Sequence, residues 1–258
     1  MTRTLSLLLL PVALFGCELI DDTYKGDTGS DTGASTDSDA DGDGFDADVD
    51  CDDSDADVWL ADAPLSGNLA DDGFADFCTS YCARTVTGNL SISGGDTSGL
   101  SCLTEVGGDV SISRNSTASS VDLSALSVIG GDLTVYKSPN LTDIDLSGLT
   151  AVNWLSIGHT GLTSLNLNAL TASGSHFTIA NNPSLVAAQA NALTAVGGDF
   201  AVYDNAVLAD LQLDVLASAG GAAQIADNAS LCNDDAQAIV DGMSAESTYV
   251  NNNDGACD

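Results

Sequence analysis

GGDLTVYKSPNLTDIDLSGLTAV, residues 130–152, is one of three copies of the phrase that decides the fold. GGDVSISRNSTASSVDLSALSVI begins at Gly107 and GGDFAVYDNAVLADLQLDVLASA at Gly197. In each copy Gly-Gly-Asp leads into two apolar residues one position apart, and a leucine-spaced tail follows. The apolar pairs are Leu90/Ile92, Val110/Ile112, Leu133/Val135, Leu155/Ile157, Phe177/Ile179, Phe200/Val202 and Ala223/Ile225. Their spacings are 20, 23, 22, 22, 23 and 23 residues. A steady period in this range marks a solenoid, because one coil cannot bury its own apolar face and must stack on the next. Within each pair the two-residue interval is that of a strand. The expected fold is mainly β, a parallel β-helix of about seven coils.

Other positions repeat with the anchors. A second apolar set follows each pair, as in Leu141, Ile144, Leu146, Leu149 and Val152, or Leu208, Leu211, Leu213 and Leu216. Gly-Gly at 107, 130, 197 and 220 marks the bend between coils, where positive φ or close backbone approach suits glycine. Asn115, Asn182, Asn205 and Asn228 lie five residues past their first anchors, with Ser138 and Thr160 in that slot elsewhere. A stacked asparagine column is expected there, each amide bonding the next coil. G-D-L-x-I-x-x-N-x-x-L with a leucine-spaced second strand resembles the receptor L domain, and the resemblance covers about residues 78–257. It implies a right-handed β-helix used for extracellular recognition.

The ends differ from the middle. MTRTLSLLLLPVALFGC carries Arg3, an apolar run from Leu5 to Phe15, and Gly16 before Cys17. That run is shorter than the roughly 20 residues a membrane-spanning helix needs, and it reads as a signal peptide. LFGC resembles a bacterial lipobox, which implies cleavage before Cys17 and a lipid on its thiol. The chain is expected in the bacterial outer membrane, lipid-anchored and surface-exposed. Six further cysteines (Cys51, Cys78, Cys82, Cys102, Cys232 and Cys257) read as disulfides in an exported protein. Cys232–Cys257 is the simplest pairing, since no other cysteine lies near either. Cys82–Cys102 and Cys51–Cys78 follow, with other connectivities open.

The chain has 38 acidic and five basic residues, a formal net charge of −33. That balance argues against a nucleic-acid partner, which needs a basic face. Twenty of the acids lie between Glu18 and Asp76, opposed by Lys25 alone. Residues 17–38 are small and polar and read as a flexible acidic tether. In residues 39–58, Asp39, Asp41, Asp43 and Gly44 form D-x-D-x-D-G, with the Phe45 carbonyl and Asp50 in the twelfth place. Alternate carboxylates around a sharp glycine turn make a calcium loop. Asp53, Asp55 and Asp57 could hold a second Ca2+. The stretch resembles thrombospondin type 3 repeats, although Asp replaces Glu at the twelfth place. The remaining segments are an N-terminal cap (59–87), the repeats (88–231) and a C-terminal cap (232–258). In the last, Asn233 is the expected N-cap of a short helix and Gly242 its stop.

A catalytic set does not emerge from the residues, so a non-catalytic role is expected. Asp122 and Asp145 share a slot twelve residues past Val110 and Leu133, but counting onward reaches Leu167 and Gln189. His159 and His176 read as surface polar residues. Four residues past the first anchors come Arg114, Lys137, His159, Asn181, Asp204 and Asp227, a ladder running from basic to acidic. Arg114, Lys137 and His159, with Tyr136 alongside, form a candidate ligand-binding patch for an acidic or glycan ligand. The expected protein is monomeric, recognising an extracellular protein or glycan. Its rivals are an envelope component with no defined ligand and, less favoured, a glycan-active enzyme.

Overall fold

A computed structural model of the chain describes residues 64–74, 77–80, 84–255 and 257. The signal peptide, Cys17, Cys51, Cys82 and every expected calcium ligand from Asp39 to Asp57 lie outside the described residues. The repeat folds as expected: a parallel β-solenoid, each coil contributing a strand to a nine-stranded sheet. Identical slots stack directly, Leu155 between Leu133 and Phe177 and Ile157 between Val135 and Ile179. Two-residue strands from Thr85–Val86 to Ser218–Ala219 build a seven-stranded second sheet. On a third side, Ser120–Asp122 pairs with Asp143–Asp145, and Ser164–Asn166, Ala187–Gln189 and Asp210–Gln212 form a separate sheet.

The paired anchors are buried throughout, from Leu90 and Ile92 to Ala223 and Ile225. Phe177 and Phe200 stack with ring centroids 5.5 Å apart. Each large anchor removed from water contributes about 1.5–3 kcal/mol, available only once a neighbouring coil covers it.

The solenoid is longer than the expected seven coils, with about eight turns. At the start, Leu69–Ala70 pairs with the Leu90 strand and Leu65 bridges Val86, so coil stacking begins before residue 88. Phe74 and Phe77 are buried inside this first coil, and a one-turn helix α1 (Phe77–Ser80) follows. At the end, Ser247–Asn251 adds a strand beyond Ala222–Ala226. The capping helix α2 spans Asn233–Asp241, and Gly242 is its C-cap. Its N-cap is Cys232 rather than Asn233, and no side chain caps it. Among the described residues, no helix is long and apolar enough to cross a membrane.

Two disulfides fasten the ends. Cys232–Cys257 forms as expected, whereas Cys102 pairs with Cys78 and not with Cys82. The same bridge overturns the expected Cys51–Cys78 pairing. Cys78 and Cys102 are 24 residues apart, close to one coil, with Cα atoms 5.7 Å apart, inside the window a disulfide spans.

Candidate functional site

The asparagine column is present and buried. Asn182 Nδ2 donates to Asn205 Oδ1 and to the Ile157 carbonyl, and Asn205 Nδ2 to Asn228 Oδ1 and the Ile179 carbonyl. Asn253 extends it by one coil, accepting from Asn228 Nδ2. Where Ser138 takes the slot, the ladder breaks: Asn115 accepts from Thr117 and Ala118, and its buried Nδ2 has no partner.

A second ladder runs just before the first anchors. Asn68, Asn89, Asp109 and Asp199 each accept the backbone N–H one coil onward. His176 occupies the same slot, and its Nδ1 accepts the Asp199 N–H at 2.9 Å. That bond leaves the imidazole proton on Nε2. Trp154 departs from the ladder: an indole cannot accept, and Asp132 bonds Asn153 Nδ2 instead. The Gly-Gly stack beside it exists for close approach rather than positive φ. A Cβ on Gly130, Gly197 or Gly220 would collide with the carbonyl oxygen of the glycine one coil earlier.

Positive φ falls instead on the ladder of mixed charge. Arg114, Lys137, His159, Asn181, Asp204, Asp227 and Asn252 all sit between +53° and +59°. Asn and Asp adopt this region more readily than other residues, so Arg114, Lys137 and His159 occupy their corner at a backbone cost. Of the expected patch, the structure places the side chains of Tyr136, Lys137 and His159 side by side and joins Arg114 to them through its backbone. The Arg114 N–H donates to the Tyr136 carbonyl, the Tyr136 and His159 rings meet edge-on at 5.1 Å, and Lys137 Nζ lies 5.1 Å from the Tyr136 centroid. Beside His159, a hollow of about 400 Å³ is lined by Pro139, Pro183 and Asp204.

A further site went unread in the sequence. Trp154, His176, Thr178, Asp199, Tyr203 and Gln224 line a groove of about 300 Å³ on the nine-stranded face. Trp154 is 42% exposed, and its ring meets His176 edge-on at 5.4 Å. The available signal was a break in the repeat: Trp154 and His176 stand where neighbouring coils carry Asp132 and Asp199.

The acids weighed for catalysis are held in turns. Asp122 Oδ1 accepts the Ser124 N–H, which lowers its pKa from the ordinary 3.8, and Asp145 Oδ1 accepts from Ser147. Their slot continues as Asn166, which pairs with Gln189, and not as Leu167. The turn Thr160–Leu162 is one residue shorter than Asn182–Leu185, which shifts the count. Among the described residues, the one grouping of metal-ligand atoms is Cys232, Asp234 and Cys257, and its thiols are spent in the disulfide. Comparison of the chain with protein-family models, with curated proteins and with solved structures returns no match.

Proposed function

We propose that this protein is a non-catalytic recognition module, displayed outside a bacterial cell on a lipid at Cys17 and binding an extracellular glycan or protein across its nine-stranded face. The observation that carries the reading is the relief of that face. Tyr136 and Tyr203 occupy the same slot three coils apart, about 14 Å at the usual strand spacing. Gly158 and Ala180 lie between them, so the two rings flank a stretch of the face that carries no side chain larger than a methyl group. A Cβ on Gly158 would lie 2.7 Å from the Ala180 carbonyl oxygen, so position 158 admits nothing larger than glycine. One exposed ring and one half-buried ring flanking small residues suit a ligand laid flat. The likeness of the repeat to receptor L domains agrees with this, although a fold alone does not set a function. Asp39 to Asp57 complete the reading as a calcium-stiffened stalk.

The test immobilises the lipid-free mature chain and screens extracellular glycans and envelope proteins. A variant with Ser156→Arg and Ala201→Arg, two outward positions on the face, serves as comparison. Binding that falls by about tenfold or more in the variant is expected. Binding that persists unchanged would show that the face is not the recognition surface. Calorimetric titration with Ca2+ is expected to give saturable binding, and a flat titration would remove the calcium stalk.

A further inference from the structure

Departures from a repeat show where a coil does something other than stack. The Trp154 coil gives up the acceptor that Asn89, Asp109 and Asp199 supply in the same slot, and places an exposed indole there. The next coil keeps the acceptor but uses His176, whose ring braces the indole. Two coils beyond Trp154, about 10 Å along the stack, and four residues further along the strand, Tyr203 closes the far wall of the groove. Its floor is Ala201, the smallest residue in the outward row Ser156, Thr178, Ala201 and Gln224. These changes converge on one place.

We propose that this groove is a subsite for a neutral pyranose, held by stacking on Trp154 and by hydrogen bonds to its hydroxyls. The inference rests on the recognition reading above and names its ligand class. Four observations choose the class. First, the sheet interior has its backbone groups committed to neighbouring strands, so a peptide cannot add as a strand on this face and contact must run through side chains. Second, an aromatic ring held by an edge-on neighbour is a rigid apolar platform that loses little entropy on binding. Third, the polar groups around it suit hydroxyls. Asp199 Oδ1 accepts the Ala222 N–H while Oδ2 makes only a 3.6 Å contact with His176, leaving it as an acceptor. The His176 Nε2–H is a donor, and the Thr178 hydroxyl and Gln224 amide can both donate and accept. Fourth, the lining includes an aspartate and no lysine or arginine, which favours a neutral sugar over an acidic one. The volume of about 300 Å³ is at the small end for ligand sites, so one or two rings occupy it and the rest of a chain lies on the face.

Trp154 reports on the groove directly. The chain's other tryptophan is Trp59, so fluorescence of a Trp59→Phe protein isolates the indole at the site. The full mature chain is titrated with short oligosaccharides of glucose, xylose, mannose and N-acetylglucosamine, and with oligogalacturonate as the anionic arm. Saturable binding of a neutral oligosaccharide with a change in Trp154 emission is expected. Trp154→Ala, followed by calorimetry, weakens it by about tenfold or more, and Tyr203→Ala and Asp199→Asn weaken it less. Asp199→Asn keeps an acceptor for the Ala222 N–H, so its effect is on the ligand rather than the coil. Val186→Ala, an exposed residue just before the third-side strand Ala187–Gln189, leaves binding unchanged. Failure of every neutral oligosaccharide overturns the inference, while a protein ligand found on the same face leaves the recognition reading standing. Neutral binding insensitive to Trp154→Ala overturns it too. So does preference for oligogalacturonate lost in an Arg114→Ala, Lys137→Ala variant, which would place the site at the basic corner.

Discussion

Asn205 joins three coils through one side chain: its Oδ1 accepts the N–H and Nδ2 of Asn182, and its Nδ2 donates to Asn228 and the Ile179 carbonyl. Each partner is buried, so none can turn to water when the amide is removed. Asn205→Ala is therefore expected to destabilise the protein by about 2–4 kcal/mol, read as a lower urea midpoint. Ser138→Asn works in the opposite sense, since it offers the orphaned Asn115 Nδ2 an acceptor, and about 1 kcal/mol of gain is expected. Residues also reveal where stability is given up. Lys137 holds φ at +53° where glycine would be relaxed, so Lys137→Gly is expected to raise stability by about 0.5–1 kcal/mol. A lower urea midpoint for that variant would mean that the lysine's packing on Tyr136 outweighs the backbone term.

At the scale of elements, the bend between coils depends on absent side chains. Gly197 lies against the Gly174 carbonyl, and no rotamer can relieve a clash between a Cβ and backbone. Gly197→Ala is expected to cost at least about 1–3 kcal/mol by forcing two coils apart, with hydrogen-exchange protection falling first in Ala195–Val196 and Ala172–Ser173. The C-terminal cap has a different support. Helix α2 buries only Ala236 and Val240, so much of the cap's order comes from the Cys232–Cys257 link across a 25-residue segment. Replacing both cysteines with serine is expected to remove about 3 kcal/mol from the cap. Exchange in Ser247–Asn251 accelerates, and the central coils are unaffected because each touches only its neighbours.

For the whole molecule, charge and pH act together. A net charge of −33 disfavours compaction, and acidification relieves that repulsion. Specific turns respond the other way. The Ser124 N–H lowers the pKa of Asp122, and the Ser98 N–H does the same for Asp96. A carboxylate with a depressed folded pKa contributes stability that is complete above its ordinary value and is lost as pH falls through the folded value. The stability gap between wild type and Asp122→Asn is therefore expected to be present near pH 6 and to close as pH drops below about 4, measured by urea unfolding. A gap that stays constant across that range would show that the charge on Asp122 is not what the turn uses.

The sequence alone determined the coil period, the paired anchors, the asparagine column, the capping helix and the Cys232–Cys257 bridge. Each is a local pattern repeated at a near-constant interval, and a solenoid folds by stacking that interval on itself. A fixed count fails where coils change length, as between Thr160 and Leu162, and there it reaches Leu167 although the slot belongs to Asn166. It fails at the ends too, where Leu69 and Thr248 join the main sheet without the Gly-Gly phrase. Only the tertiary structure decided which bend takes positive φ, because Arg114, Lys137 and His159 are not residues that announce it. It also decided the groove. Trp154, His176 and Tyr203 belong to three coils and two slots, and become neighbours only when parallel register turns distance along the chain into adjacency across the sheet.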